Sequence, residues 1–239
     1  MKRLLPILPV LLLALSACQT GNDKDWNLSF YNNCGMPRGD SMQWIEQGEN
    51  KFIRFQLRDK DYGECSSDRM ERSRAPYWER AELKQSSFLD PNTKYELALK
   101  TRIVKGFSGD RESFLQMHAH DKPCNAKPPV MIKISDGELL LAAQRVGGGH
   151  EVHYSGISIG DLIGKWNNVK LNFDTSSDPE ISLYLNDKEV FSKIPFWIEA
   201  CGSAHFKFGI YRPGNVNEIN NHSIADFDKI ILTKIKKVL

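Results

Sequence analysis

The chain has 239 residues, 41% hydrophobic and 26% charged, with 32 Lys and Arg against 30 Asp and Glu. These proportions belong to an ordinary globular protein of one domain, at most two, and exclude a disordered or collagen-like chain. The near balance of charge excludes a nucleic-acid binder, which needs a surplus of Lys and Arg on one face to neutralise phosphates. Residues 1–17 come first: Lys2 and Arg3 precede an apolar run, the layout of a secretory signal. Its removal takes away two cations and no acid, leaving a formal charge of zero. No later apolar stretch approaches the ~20 residues of a membrane span.

From Trp26 on, period-2 alternation recurs between clusters of Gly, Pro, Asn and Asp. Residues 95–104 set Tyr95, Leu97 and Leu99 against Glu96, Lys100 and Arg102, and residues 166–174 put Val169, Leu171 and Phe173 on one face. Ile181, Leu183 and Leu185 follow in the same way, and Asn186-Asp187 then supplies a tight turn into residues 189–191. Residues 224–236 read as a closing strand. Two short helical segments are expected, at residues 158–164 and within 67–74. Many short strands without an internal repeat predict an all-β fold, a two-sheet β-sandwich or jelly roll of the concanavalin-like kind, as one domain over 26–239. Residues 58–77 and 144–157 are expected as long connections that wall a cleft. The Gly147-Gly148-Gly149 run in the second reads as a mobile loop able to cover it.

Three segments carry chemistry once strand alternation is applied. Arg80, Glu82 and Lys84 share one face of residues 80–84. Gln116, His118 and His120 share one face of residues 115–120, and His205, Lys207, Gly209 and Tyr211 one face of residues 205–211. In each, the opposite face is mainly apolar. A single polar-faced strand is the default of any half-exposed sheet. Three side by side would tile one face with cations, imidazoles, an amide and a phenol, groups that bind carboxylates and move protons.

These stretches resemble the jelly-roll polysaccharide lyases, whose alginate-cleaving members carry R-[ST]-E-[LV]-R, Q-[IV]-H and Y-F-K-x-G-x-Y-x-Q on three neighbouring strands. Here they read Arg80-Ala81-Glu82-Leu83-Lys84, Gln116-Met117-His118 and His205-Phe206-Lys207-Phe208-Gly209-Ile210-Tyr211-Arg212-Pro213. Lys84, His205 and Pro213 depart from the alginate pattern and look more like the glucuronan and heparin lyase branch. The resemblance implies cleavage of a 4-linked uronic-acid polysaccharide by β-elimination: loss of the C5 proton, α to the carboxylate, and expulsion of the 4-oxygen. Arg80 and Gln116, with His118 as a further donor, would neutralise the carboxylate. Tyr211 would be the acid, and also the base where proton and leaving group lie on the same side, as in mannuronate or glucuronate; His118 would be the base for guluronate or iduronate. Lys207, Lys84, His120 and Arg212 would contact neighbouring carboxylates or sulfates. The expected partner is an anionic polysaccharide, the expected state a monomer, and no cofactor or metal is implied.

Residues 15–18, Leu-Ser-Ala-Cys, resemble the lipobox of bacterial lipoproteins, which implies an acylated Cys18, a lipidated tether over 18–25 and, from Gln19, the outer membrane. The membrane would be touched only through that lipid. Cys34, Cys65, Cys124 and Cys201 remain, an even count that reads as disulfides in an exported chain. Cys34–Cys65 and Cys124–Cys201 are the expected pairs, the second because it would clamp one end of two site strands. Alternatives are a zinc ion held by the four thiolates, or by His118, His120 and His205, and a non-catalytic carbohydrate-binding lipoprotein using Trp44, Trp78 and Trp197 as stacking surfaces.

Overall fold

The computed structural model describes residues 26–32, 34–65, 68, 78–107, 111–119, 127–198, 203–214 and 222–237. These form fourteen strands and one helical turn in two antiparallel seven-stranded sheets. The first sheet runs in the order β1 (Phe30–Tyr31), β4 (Trp78–Gln85), β13 (Ala204–Pro213), β6 (Glu112–Ala119), β7 (Val130–Ser135), β8 (Glu138–Gln144), β9 (His150–Ser158). The second runs β12 (Lys188–Pro195), β11 (Glu180–Leu185), β10 (Asn167–Asp174), β5 (Thr93–Lys105), β14 (Ser223–Lys237), β3 (Asn50–Leu57), β2 (Met42–Gln47). The expected two-sheet sandwich is therefore the fold, and the three polar-faced segments lie side by side, with β13 between β4 and β6.

The inner faces hold the core. Phe208 of β13 meets Phe55 of β3 and Phe227 of β14, ring centroids 5.7 and 5.4 Å apart, and the three rings are almost wholly buried. Each contributes about 1.5–3 kcal/mol of burial. Because alternate residues point to opposite faces, anchoring Phe206, Phe208 and Ile210 inward fixes Lys207 and Tyr211 outward.

The alternating runs at 95–104, 166–174, 181–185 and 224–236 lie in β5, β10, β11 and β14. Asn186 and Asp187 adopt φ of 49° and 66°, as a two-residue hairpin turn requires. The first helical segment shrinks to α1 (Ile159–Leu162), and the second falls mostly outside the described residues. Residues 144–157 differ from expectation. They are a β8–β9 hairpin, its turn closed by Arg145 N–H to the Gly149 carbonyl (3.1 Å), with Gly147, Gly148 and Gly149 at φ 82°, 94° and 85°. β9 is an edge strand with half its residues toward solvent, so its alternation of Val152 and Tyr154 with polar neighbours reads as a loop.

Candidate active site

Strand register sets the outer face of the first sheet in rows. Lys207 lies opposite Lys84 on one side and Gln116 on the other; His205 is opposite His118; Gly209 is opposite Glu82; Tyr211 is opposite Arg80 and Ser113. Polar side chains on an outer face are ordinarily exposed, yet here Arg80, Glu82, Gln116, Lys207 and His205 are 6%, 3%, 2%, 6% and 0% exposed. They are covered on that face, and charges so desolvated are costly unless they are paired.

Asp68, which the sequence reading did not single out, supplies much of that pairing. Its carboxylate accepts from Arg80 Nε at 2.9 Å and Nη2 at 2.8 Å, while Arg80 Nη1 donates to Glu82 at 2.7 Å. Gln116 Nε2 donates to the other oxygen of Glu82 at 2.6 Å. The Cys34–Cys65 disulfide is present, and Asp68 N–H donates to the Cys65 carbonyl at 2.9 Å, so the cross-link ends where the carboxylate begins its approach. Gly63 permits that approach, since a Cβ there would meet an Asp68 carboxylate oxygen at 2.3 Å. With Cys34 and Cys65 bonded to each other, a four-thiolate zinc site is removed. Cys124, Cys201, His120 and Cys18 lie outside the described residues.

Tyr211 is half-buried between a cation and an indole. The Arg80 guanidinium carbon stands 4.3 Å from its ring centroid, and Trp78 stacks on it at 4.8 Å and 13°. Burial pushes the phenol well above its ordinary value; Arg80 opposes this while Asp68 and Glu82 add to it. Tyr211 therefore holds its proton at neutral pH. Lys207 moves the other way. Burial, with smaller contributions from Arg80 and Lys84, brings its ammonium down to about 8 against the pull of Glu82 and Asp68. Lys84 is half-exposed, its Nζ 5.6 Å from each of the Tyr31 and Phe88 rings. Trp44, by contrast, packs on Trp26 at 5.5 Å.

His118 stacks on His205, centroids 5.6 Å apart, on the same outer face as Tyr211. One expectation needs correction. Arg212 points into the sandwich. Its Nε donates to Glu79 at 2.6 Å and its Nη1 to Glu112 at 2.8 Å and to Ser223 Oγ at 2.7 Å. Alternation assigned it to the core side of β13; its charge made it look like a ligand contact.

A polysaccharide lyase family model matches residues 32–230. Among solved structures, an endo-β-1,4-glucuronan lyase from the fungus Trichoderma reesei superposes with a TM-score of 0.60 at 12% identity, covering 85% of this chain and 92% of that one. A family 7 alginate lyase, A1-II′, in complex with product gives 0.59 at 16%, covering 80% and 83%. An alginate lyase from Pseudomonas aeruginosa gives 0.56 at 16%, covering 83% and 87%. No curated protein matches the sequence. The structural likenesses carry the sandwich, the family match spans nearly all of it, and the chain belongs to the polysaccharide lyase family.

Proposed function

We propose that this lyase cleaves a 4-linked mannuronate- or glucuronate-containing polysaccharide by syn β-elimination, with Tyr211 as both acid and base. The observation that carries the reading is the placement of Tyr211, ring held by Trp78 and faced by Arg80. A phenol that keeps its proton is suited to donate it. In the step, the Tyr211 hydroxyl delivers its proton to the 4-oxygen as the C4–O bond breaks, and the same oxygen accepts the C5 proton. The C5–H electron pair becomes the C4–C5 double bond. The products are a chain ending in a 4,5-unsaturated uronate and one with a free 4-hydroxyl, and the tyrosine is regenerated.

Arg80 supports this chemistry as a positioning residue, lowering the cost of transient negative charge on the phenol oxygen. Gln116 has a second amide N–H beyond the one given to Glu82, and a substrate carboxylate is its natural acceptor. A single tyrosine serves only where the C5 proton and the leaving oxygen are on the same side. The anti geometry of guluronate or iduronate would need a base on the opposite face of the sugar, the role His118 would take there. We further propose that the enzyme is exported and tethered to the outer membrane through acylated Cys18.

The test is absorbance of the unsaturated uronate on mannuronate-rich alginate, glucuronan, heparin and chondroitin-type polymers. Tyr211→Phe is expected to abolish product while leaving oligosaccharide binding within a few-fold. A wild-type rate from Tyr211→Phe would defeat the assignment.

A further inference from the structure

Among the described residues, this cluster holds five formal charges on two strands and one loop: Arg80, Lys84 and Lys207 against Asp68 and Glu82. Both carboxylates are bonded to one guanidinium, with Gln116 also donating to Glu82. Arg80 is thus matched more than fully before any ligand arrives. Of the three cations, Lys207 is buried to 6% exposure with no hydrogen bond or ion pair to either carboxylate, and Lys84 is half-exposed against Tyr31 and Phe88. Among the described residues the set carries one surplus positive charge, in a place where an uncompensated charge is costly.

We propose that Lys207, with Lys84 beside it, is the cation that neutralises the carboxylate of the reacting uronate, and that Arg80 instead holds Tyr211 and Glu82 in place. This rests on the β-elimination reading of the same site. An incoming carboxylate brings the charge of the set to zero, and Lys207 lies opposite Gln116, whose remaining N–H would meet the same group. Among the described residues, the groups on the face around Lys207 are Arg80, Glu82 and Lys84 from β4, Gln116 and His118 from β6, His205 and, farther along, Tyr211 from its own strand, and Asp68 from the loop. Its depressed protonation supports the assignment: the free enzyme loses the cation as pH rises through about 8, and a bound carboxylate restores it.

The experiment uses tetramers of 4-linked mannuronate and of 4-linked glucuronate, each beside its carboxyl-reduced form. Binding is measured calorimetrically in a Tyr211→Phe background, and turnover of the polymers in the Tyr211 enzyme. Unreduced tetramer is expected to bind at least about 10-fold more tightly than reduced. Lys207→Met should erase that difference and lower kcat/KM by about 10²- to 10³-fold, as loss of one preorganised donor does. Methionine matches the stem in size and removes a buried charge, so the fold is expected to hold. Lys207→Arg should restore the preference for the acid and move the alkaline fall of kcat/KM, near 8 in the wild type, to higher pH. Retention of the preference, or of wild-type kcat/KM, in Lys207→Met overturns this assignment and leaves the lyase reading intact. Lys207-dependent binding with no unsaturated product overturns the lyase reading and supports this one; failure of both tetramers to bind counts against both.

Discussion

Replacing Arg212 by Met separates a structural cation from a substrate contact. The guanidinium is buried between the sheets and makes charge-assisted bonds to Glu79, Glu112 and Ser223 at 2.6, 2.8 and 2.7 Å. Removing one partner from such a cluster leaves two buried carboxylates uncompensated and costs about 3–5 kcal/mol. At 2–4 °C per kcal/mol for a domain of this length, the melting temperature should fall by roughly 6–20 °C. The pH dependence follows from the glutamates. Burial holds Glu79 and Glu112 above the ordinary carboxylate value even with Arg212 lowering them. In the variant they rise further, so the folded state binds more protons than the unfolded chain, and stability drops as pH climbs through that interval. The deficit should be smaller at about pH 5 than at about pH 8. Circular dichroism melts at the two pH values measure it, with oligouronate affinity recorded well below the transition. Unchanged melting combined with weakened sugar binding would refute the structural assignment and restore Arg212 as a ligand contact.

Two further perturbations probe the site. Gly209→Ala should lower kcat by about 10²-fold or more with secondary structure retained, because a Cβ at φ 136° would stand 2.2 Å from the Ala81 carbonyl oxygen and force β13 away from β4; far-ultraviolet dichroism with the absorbance assay checks it, and a normal rate would contradict it. Cys34→Ser with Cys65→Ser opens a cross-link spanning 31 residues, which should cost about 3–4 kcal/mol in urea titrations and also reduce the lyase rate by loosening Asp68. A stability loss with no change in rate would mean that Asp68 is held without the disulfide.

The sandwich was legible because half-buried strands write their faces into alternation, as Val169, Leu171 and Phe173 do in β10. The candidate site was legible for the same reason: Arg80, Gln116, Lys207 and Tyr211 all fall on the outer face that period 2 assigned to them. Arg212 failed under the opposite logic, since an arginine between two glutamates from neighbouring strands is satisfied only in three dimensions. Asp68 was missed because nothing local marks a carboxylate whose partner is twelve residues away; only the expected Cys34–Cys65 link, three residues before it, pointed to an ordered loop there. Trp78 was noted as an aromatic surface, but its stack on Tyr211 depends on pairing with Pro213, which alternation does not specify.

Alternation names a face, whereas catalysis needs a position along it, and that is set by register. Between β13 and β4 the pairing runs without interruption from Lys207↔Lys84 to Pro213↔Trp78. Between β13 and β6 it slips: Phe208 is opposite Leu115, but Tyr211 is opposite Ser113, so β13 carries one residue more than β6 across the interval. Gly209, at a φ that favours glycine, lies in that interval. The bulge therefore leaves Tyr211 matched to Arg80 and Trp78 while shifting it by one residue against the strand that bears His118. A strand that kept both registers would have placed the tyrosine one step differently along β6, and the sequence motifs would have read the same. The place of the phenol along the face is thus set by strand pairing as well as by residue identity.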